Sequence, residues 1–279
     1  MKTVVLGDIH GRDIWRKIVF DNKDADRFIF LGDYVSTHEN ISEEQQIENL
    51  KQIIIFSQLE NLIAKDRVVL LRGNHDMQHL GYSWAECSGL YRGVQEKMMG
   101  IKDLFLANTR WTFEAYGIVY SHAGISKTWM NNIGLDNINK INELEPSEKF
   151  GFWPCKLSDY SGDSVTQPCT WIRPWALFDD SFGDYTYVVG HTTVKHIANF
   201  KEEIIAIPLT FSVTKSIHAS TLGNILPLAN SPSSTYFLAA SRTSNGKSVP
   251  RHSLNIVLDL SREIALKLST DATASEILF

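Results

Sequence analysis

Cysteine is scarce in this chain: Cys87, Cys155 and Cys169 are the only thiols in 279 residues. Their odd number, wide spacing and lack of any CxxC pairing argue against a secreted disulfide framework and against a structural zinc site. A reducing, cytoplasmic setting is the expectation. Long hydrophobic runs are missing as well. The first apolar run, Val4-Val5-Leu6, stops at Gly7-Asp8, too short for the apolar core of a signal peptide, and no stretch approaches the roughly 18 apolar residues of a membrane span. Nor is there an excess of basic charge. The 27 Lys and Arg are outnumbered by 32 Asp and Glu, whereas nucleic-acid-binding domains usually show a basic surplus. Acid is missing locally: residues 204–258 hold no Asp or Glu, only Lys215, Arg242, Lys247 and Arg251 among their charges.

What is present is one pattern repeated along the first two hundred residues. A short, β-branched apolar run is followed by glycine or a small residue and then by a side chain able to bind metal. Thr3–Leu6 precedes Gly7-Asp8, Arg27–Leu31 precedes Gly32-Asp33, and Val68–Arg72 precedes Gly73-Asn74-His75. Gly117–Tyr120 precedes Ser121-His122, and Tyr185–Val189 precedes Gly190-His191. Such runs read as strands buried on both faces. Between them, residues 11–20 set Ile14, Ile18 and Val19 on one side of a helix, and residues 42–63 open with Ser42 and Gln45 in capping-box spacing. Alternating strands and helices predict an α/β fold, whose ligands gather beyond the carboxyl ends of the strands. The Pro- and Trp-punctuated stretch 145–184 reads as an ordered loop region over that edge. Farther on, Leu254–Leu258 and Ile264–Leu268 read as apolar strand runs.

Asp8 and His10, two residues apart, can turn toward one centre, and Asp33, Asn74, His122 and His191 arrive from four other strand ends. Two carboxylates, three imidazoles and one amide are too many ligands for a single ion with an open position. They suit two adjacent divalent ions with a carboxylate between them. The thiol-free mixture favours Mn, Fe or Zn over a structural zinc or a calcium cage.

The motifs DIHG at Asp8–Gly11, GDYV at Gly32–Val35, RGNHD at Arg72–Asp76, SHAG at Ser121–Gly124 and GHT at Gly190–Thr192 resemble the calcineurin-like metallophosphoesterase superfamily, and GDYV and LLRGNH are most similar to its phosphoprotein (Ser/Thr) phosphatase branch. The resemblance spans about residues 1–200. It implies a four-layer αββα fold, a β-sandwich flanked by helices with a dimetal site at the strand ends. It also implies one ion on Asp8, His10 and Asp33, and a second on Asp33, Asn74, His122 and His191, with Asp33 as the bridge. His75 would be the general acid, and Asn74 would also hold phosphate. The branch usually follows GDYV with an Asp-Arg pair, the acid orienting the histidine and the arginine gripping phosphate. Here Ser36-Thr37 stands instead. His75 then needs another partner, Asp76 or Glu39 for example, and Arg173 is the candidate phosphate-gripping arginine, with Arg12 as an alternative.

The resemblance implies a cytoplasmic two-metal phosphoesterase of phosphate monoesters, a Ser/Thr protein phosphatase among them, working by direct attack of metal-bound hydroxide. Its cofactors would be two divalent ions, manganese first, with iron, zinc or nickel as alternatives. A diadenosine polyphosphate hydrolase, a nucleotide or nucleic-acid phosphodiesterase, and a metal-site scaffold that binds protein partners without turnover remain open. The partner is a phosphorylated substrate. The chain reads as a single domain over 1–279, with 204–258 an insertion or variable carboxy-terminal segment. Arg72 and the thiols read as structural, and Asp76 as a helix-capping or supporting residue. His38, His79, His196, His218 and His252 fall outside the strand-end pattern, although His38 and His79 follow ligand-bearing loops.

Overall fold

The computed structural model describes residues 2–37, 39–82, 91–146, 164–192, 204–206 and 217–218. Strands β1 (Lys2–Leu6), β2 (Arg27–Phe30) and β3 (Val68–Leu70) are parallel neighbours, and β8 (Ile217–His218) adds antiparallel to the free side of β1. The second sheet runs β4 (Thr112–Ala115), β5 (Ile118–Ser121), β6 (Thr186–Val189), β7 (Ile204–Ala206), antiparallel at its first pair and parallel thereafter.

Side chains alternate across each strand, and here both faces are apolar. Val5, Ile29, Leu31, Val69 and Leu71 from the first sheet form one buried cluster with Phe113, Tyr120 and Val188 from the second. This is the interior of a β-sandwich. The intervening residues Val4, Leu6, Phe28, Phe30, Val68 and Leu70 point the other way and join the larger cluster with the helices. The double burial expected of these runs is therefore present, and the mixed α/β class is as the sequence predicts.

Helix α2 (Glu43–Ile63) starts as its spacing predicts. The Ser42 hydroxyl accepts from the Gln45 amide at 3.2 Å, and the Gln45 side chain returns the bond to the Ser42 amide at 3.0 Å. The helix lies along β3 and buries Ile47, Leu50, Ile53 and Ile54. Helix α1 (Ile14–Asp21) corrects the expected face: Ile14 is 38% exposed, while Trp15 and Ile18 are buried and Val19 packs beside them. The large indole decides the rotation, because it meets both Phe30 and Phe56 edge-on or tilted at 6.3 and 5.9 Å.

Among the described residues the remaining α-helices are α3 (Asn74–His79), α4 (Arg92–Gly100), α5 (Lys102–Asn108), α6 (Lys127–Asn132) and α7 (Pro174–Asp179), with a 3-10 helix at Ile138–Glu143. Among the described residues no helix is long and apolar enough to cross a membrane. The strands expected at 254–258 and 264–268, and also Cys87, Cys155, His38, His196 and His252, lie outside the described residues. His218 falls on β8, paired with Lys2.

Candidate active site

Each predicted ligand lies at or just beyond the carboxyl end of one of five strands, β1, β2, β3, β5 and β6, and the structure brings all six together. Asp8, His10, Asp33, Asn74, His122 and His191 are all buried. The two sheets meet here: the His191 amide donates to Asp8 Oδ1 at 3.1 Å, and His122 Nε2 lies 3.4 Å from Asp33 Oδ2.

The chain turns sharply to achieve this. His10, Asp33, Ser36 and His191 have φ of 47°, 52°, 72° and 63°, a left-handed conformation that costs a non-glycine residue about 1–2 kcal/mol. Backbone bonds hold the turns. The Ile9 and His10 amides donate to the Asp33 carbonyl at 3.0 and 2.7 Å, and the Gly11 amide donates to Tyr34. Gly73 is required by close approach rather than by its own φ, since a β-carbon there would overlap Asp33 Oδ1 and the Asp33 nitrogen. Gly190 stands in the same relation to Asp8 Oδ1.

Asp76 ties β2 to β3. Its carboxylate accepts from the amides of Gly73, Asp33 and Tyr34 at 3.0, 2.8 and 2.8 Å, the supporting role expected of it. Asp76→Ala would leave three buried donors without acceptors, each costing about 1–3 kcal/mol. A loss of roughly 3 kcal/mol or more is expected, and urea denaturation of the variant measures it.

The three imidazoles are oriented alike. His10 Nδ1 lies 3.0 Å from the Val35 carbonyl, His122 Nδ1 2.8 Å from that of Leu31, and His191 Nε2 3.1 Å from that of Trp171. A carbonyl only accepts, so each of these nitrogens carries a proton, and in the neutral ring the opposite nitrogen presents a lone pair to the site. Those lone pairs face other acceptors. His122 Nε2 and His191 Nδ1 lie 2.8 and 2.9 Å from Asn74 Oδ1, and His10 Nε2 lies 3.9 Å from Asp8 Oδ2, a buried atom with no hydrogen-bond partner. Acceptors gathered around acceptors call for positive charge, and divalent ions fit this donor set.

The electrostatics agree. Burial pushes the Asp33 carboxyl up, but His122 and His75 outweigh it and hold the group well below the usual carboxylate range. Burial raises Asp8. Burial opposes charge on His122 too, yet Asp33 prevails and raises it to about 9. A proton there answers the same demand as a metal ion. His191 is pushed down by burial and then by Arg173.

Among the described residues, two groups have ligand atoms within 4.8 Å of one another: His10, Asp33 and His75, and Asp33, His122 and His191. Asp33 belongs to both, where a bridging carboxylate would stand. His75 was assigned from sequence to proton transfer alone, and the structure also sets its ring 5.0 Å from that of His10. Arg173 reaches the site: one guanidinium nitrogen donates to the His191 carbonyl and to Thr192 Oγ1, both at 3.2 Å. Arg72 is structural as expected, bonded to Thr109 and the Leu106 carbonyl and stacked 4.7 Å from the Trp111 ring. Arg12 donates to the Ile9 carbonyl and lies 3.7 Å from Glu39. The orienting carbonyls of Leu31, Val35 and Trp171 had no sequence signal, because every residue type carries that group.

The calcineurin-like phosphoesterase family model matches residues 1–206. No curated protein matches the chain. Among solved structures the chain is similar to a cold-active protein-tyrosine phosphatase of a psychrophile, Shewanella sp., with 18% identity, 74% of this chain and 70% of that chain covered, and a TM-score of 0.46. It is also similar to a protein serine/threonine phosphatase from Saccharomyces cerevisiae, with 13% identity, coverage of 75% and 67%, and a TM-score of 0.45. The family match runs through every strand end that feeds this cluster of carboxylates and imidazoles, so the chain belongs to the calcineurin-like phosphoesterases and is a metal-dependent phosphoester hydrolase.

Proposed function

We propose that the chain hydrolyses phosphate monoesters with two divalent ions, manganese first among them, and that phosphoserine or phosphothreonine in proteins is the leading substrate class. The observation that carries this reading is the set of three imidazoles locked by backbone carbonyls with their lone pairs turned toward Asp8, Asp33 and Asn74. Asp8, His10 and Asp33 would hold one ion, and Asp33, Asn74, His122 and His191 the other. When bound, such a pair supplies an activated water and neutralises charge developing on the phosphoryl group.

The protein's own residues do the rest. Asn74 and Arg173 bind the phosphoryl oxygens, Arg173 being held in place by the His191 carbonyl and Thr192. His75 gives a proton to the departing oxygen. Cys169, the thiol among the described residues, is buried and burial raises it well above its ordinary range, so it is no nucleophile, and the reading is direct hydrolysis.

A second reading, phosphoanhydride cleavage, is favoured by one feature: no carboxylate bonds to His75 Nδ1. A poorly assisted leaving oxygen suits substrates whose leaving group departs as a stable anion. Phosphate release from phosphopeptides, mononucleotides, dinucleoside polyphosphates and RNA ends, each with Mn, Zn, Ni and Mg, separates the two. Turnover confined to anhydrides and diesters would remove the monoester reading. A chain that binds metal but turns over none of them would be a scaffold.

We further propose a single cytoplasmic domain in which the acid-free stretch 204–258 tunes substrate choice. Neutralising Lys215, Arg242, Lys247 and Arg251 together is expected to raise KM for polyanionic substrates several-fold at low salt, where charge is least screened, and to leave kcat on a small aryl phosphate within about twofold. Steady-state kinetics at two ionic strengths check this.

A further inference from the structure

Two loops carry the residues proposed to hold the first ion: residues 7–11 after β1, with Asp8 and His10, and residues 31–37 after β2, with Asp33. One side chain of helix α2 lies against both. Gln46 is buried, and its Oε1 accepts from the Ser36 amide at 3.0 Å and from the Thr37 amide at 3.4 Å. Its Nε2 donates to the Ile41 carbonyl at 3.3 Å, which fixes the side-chain amide from its other end. The stem of the same side chain fills the space beside Gly11, where a β-carbon would come within 2.5 Å of Gln46 Cγ. Three residues further along α2, Asn49 Nδ2 donates to the Gly11 carbonyl at 2.8 Å.

The decisive contact passes through a single peptide. The Ser36 N–H and the Val35 C=O belong to one planar unit and, in its trans form, point in opposite directions. Gln46 Oε1 takes the N–H, and the C=O accepts from His10 Nδ1 at 3.0 Å. A turn of that plane moves both ends at once. Hydrogen bonds in such a chain polarise one another, so an acceptor on the Ser36 side strengthens the hold of the carbonyl on His10. Ser36 has a φ of 72°, a conformation costly for serine, and bonds from outside the loop are needed to keep the plane in this orientation.

We infer that Gln46 is a positioning residue for His10: through the Val35–Ser36 peptide it fixes the imidazole that serves the first ion together with Asp8 and Asp33. His122 and His191 are oriented by other carbonyls, those of Leu31 and Trp171, which lie outside the turn that Gln46 grips. Its effect is therefore confined to the ion that His10 holds. The inference rests on the two-ion reading and on its division of the ligands.

Metal titration of the whole chain tests it. Gln46→Leu removes the acceptor and keeps much of the bulk, Gln46→Glu keeps an oxygen for the two amides, and His10→Asn marks which binding step belongs to the His10 ion. With zinc added to metal-free protein of matched fold, Gln46→Leu is expected to weaken that step roughly 10-fold to 100-fold and to leave the other within about threefold. Gln46→Glu should keep most of the affinity. Equal weakening of both steps, or of neither, would overturn the inference, as would a loss in Gln46→Glu as large as that in Gln46→Leu.

The wild type, titrated alongside, separates the two levels. If it binds one ion per chain, the two-ion reading fails and takes this inference with it; if it binds two and Gln46→Leu is unselective, this inference alone fails. Hydrogen exchange of the wild type needs no variant to fold. Coupling is reciprocal, so saturating zinc should slow exchange at the Ser36 amide by a similar factor, and an unchanged rate there would overturn the inference.

Discussion

Asp33→Asn is expected to lose metal and activity together, with kcat falling roughly 10⁴-fold, the rate equivalent of several kcal/mol of lost charge stabilisation. The substitution keeps the shape and the backbone bonds of the turn, so the fold should persist. What disappears is the negative charge that both imidazole groups share. Asp33 Oδ1 accepts from the His75 amide at 2.9 Å, while Oδ2 lies 3.4 Å from His122 Nε2 and 3.9 Å from His75 Nε2. An amide in its place leaves those imidazoles facing a neutral group. Metal analysis alongside kcat checks the expectation, and a variant with its full metal content and activity within tenfold of wild type would remove Asp33 from the bridging position. The sign of the pH effect is also set. A carboxyl held below its ordinary 3.8 in the folded state contributes stability that is present above about pH 4 and lost as pH falls further. Asp33→Asn should lack that acid-side loss.

His75→Asn carries the second large effect, and it depends on the substrate. A proton donor contributes about 10²–10⁴ in rate, and it matters most for a basic leaving group. An alkoxide from phosphoserine needs the proton; a nitrophenolate scarcely does. The expected loss is therefore about 10²-fold or more on a phosphoserine peptide and less than about tenfold on p-nitrophenyl phosphate. Similar losses on both would make His75 a phosphate-binding or structural residue. Burial lowers the ring to about 4 in the free protein, against the opposing pull of Asp33, and a dianionic ester beside it favours the charged form. The kcat profile on an alkyl phosphate should fall as pH rises through the pKa of the complex, above the value for the free protein, and the asparagine variant should lose that limb.

The strand ends were legible because their chemistry and their backbone needs coincide. A glycine such as Gly73, placed against Asp33, marks both a close approach and the residue that follows it. The division of the strands between two sheets was not legible. Runs such as Phe28–Leu31 are apolar on both faces, so no alternation says which face meets the other sheet and which meets a helix. The face of α1 was misread because Ile14 and Trp15 are adjacent and both apolar; only the aromatic neighbours Phe30 and Phe56 decide between them. Within the site, the identity of the six clustered side chains was readable. The orientation of their rings was not, because it is set by main-chain carbonyls.

The bond between the His191 amide and Asp8 joins positions 183 residues apart and the two sheets of the sandwich. The set proposed for the second ion draws Asp33 and Asn74 from one sheet and His122 and His191 from the other, so its capture would come late in folding, after the most distant contacts have closed. An ion that binds only the finished arrangement stabilises it by mass action. Chelation should therefore loosen the seam between the sheets before it disturbs either sheet alone, and slow hydrogen exchange at the His191 amide would be the first protection to go.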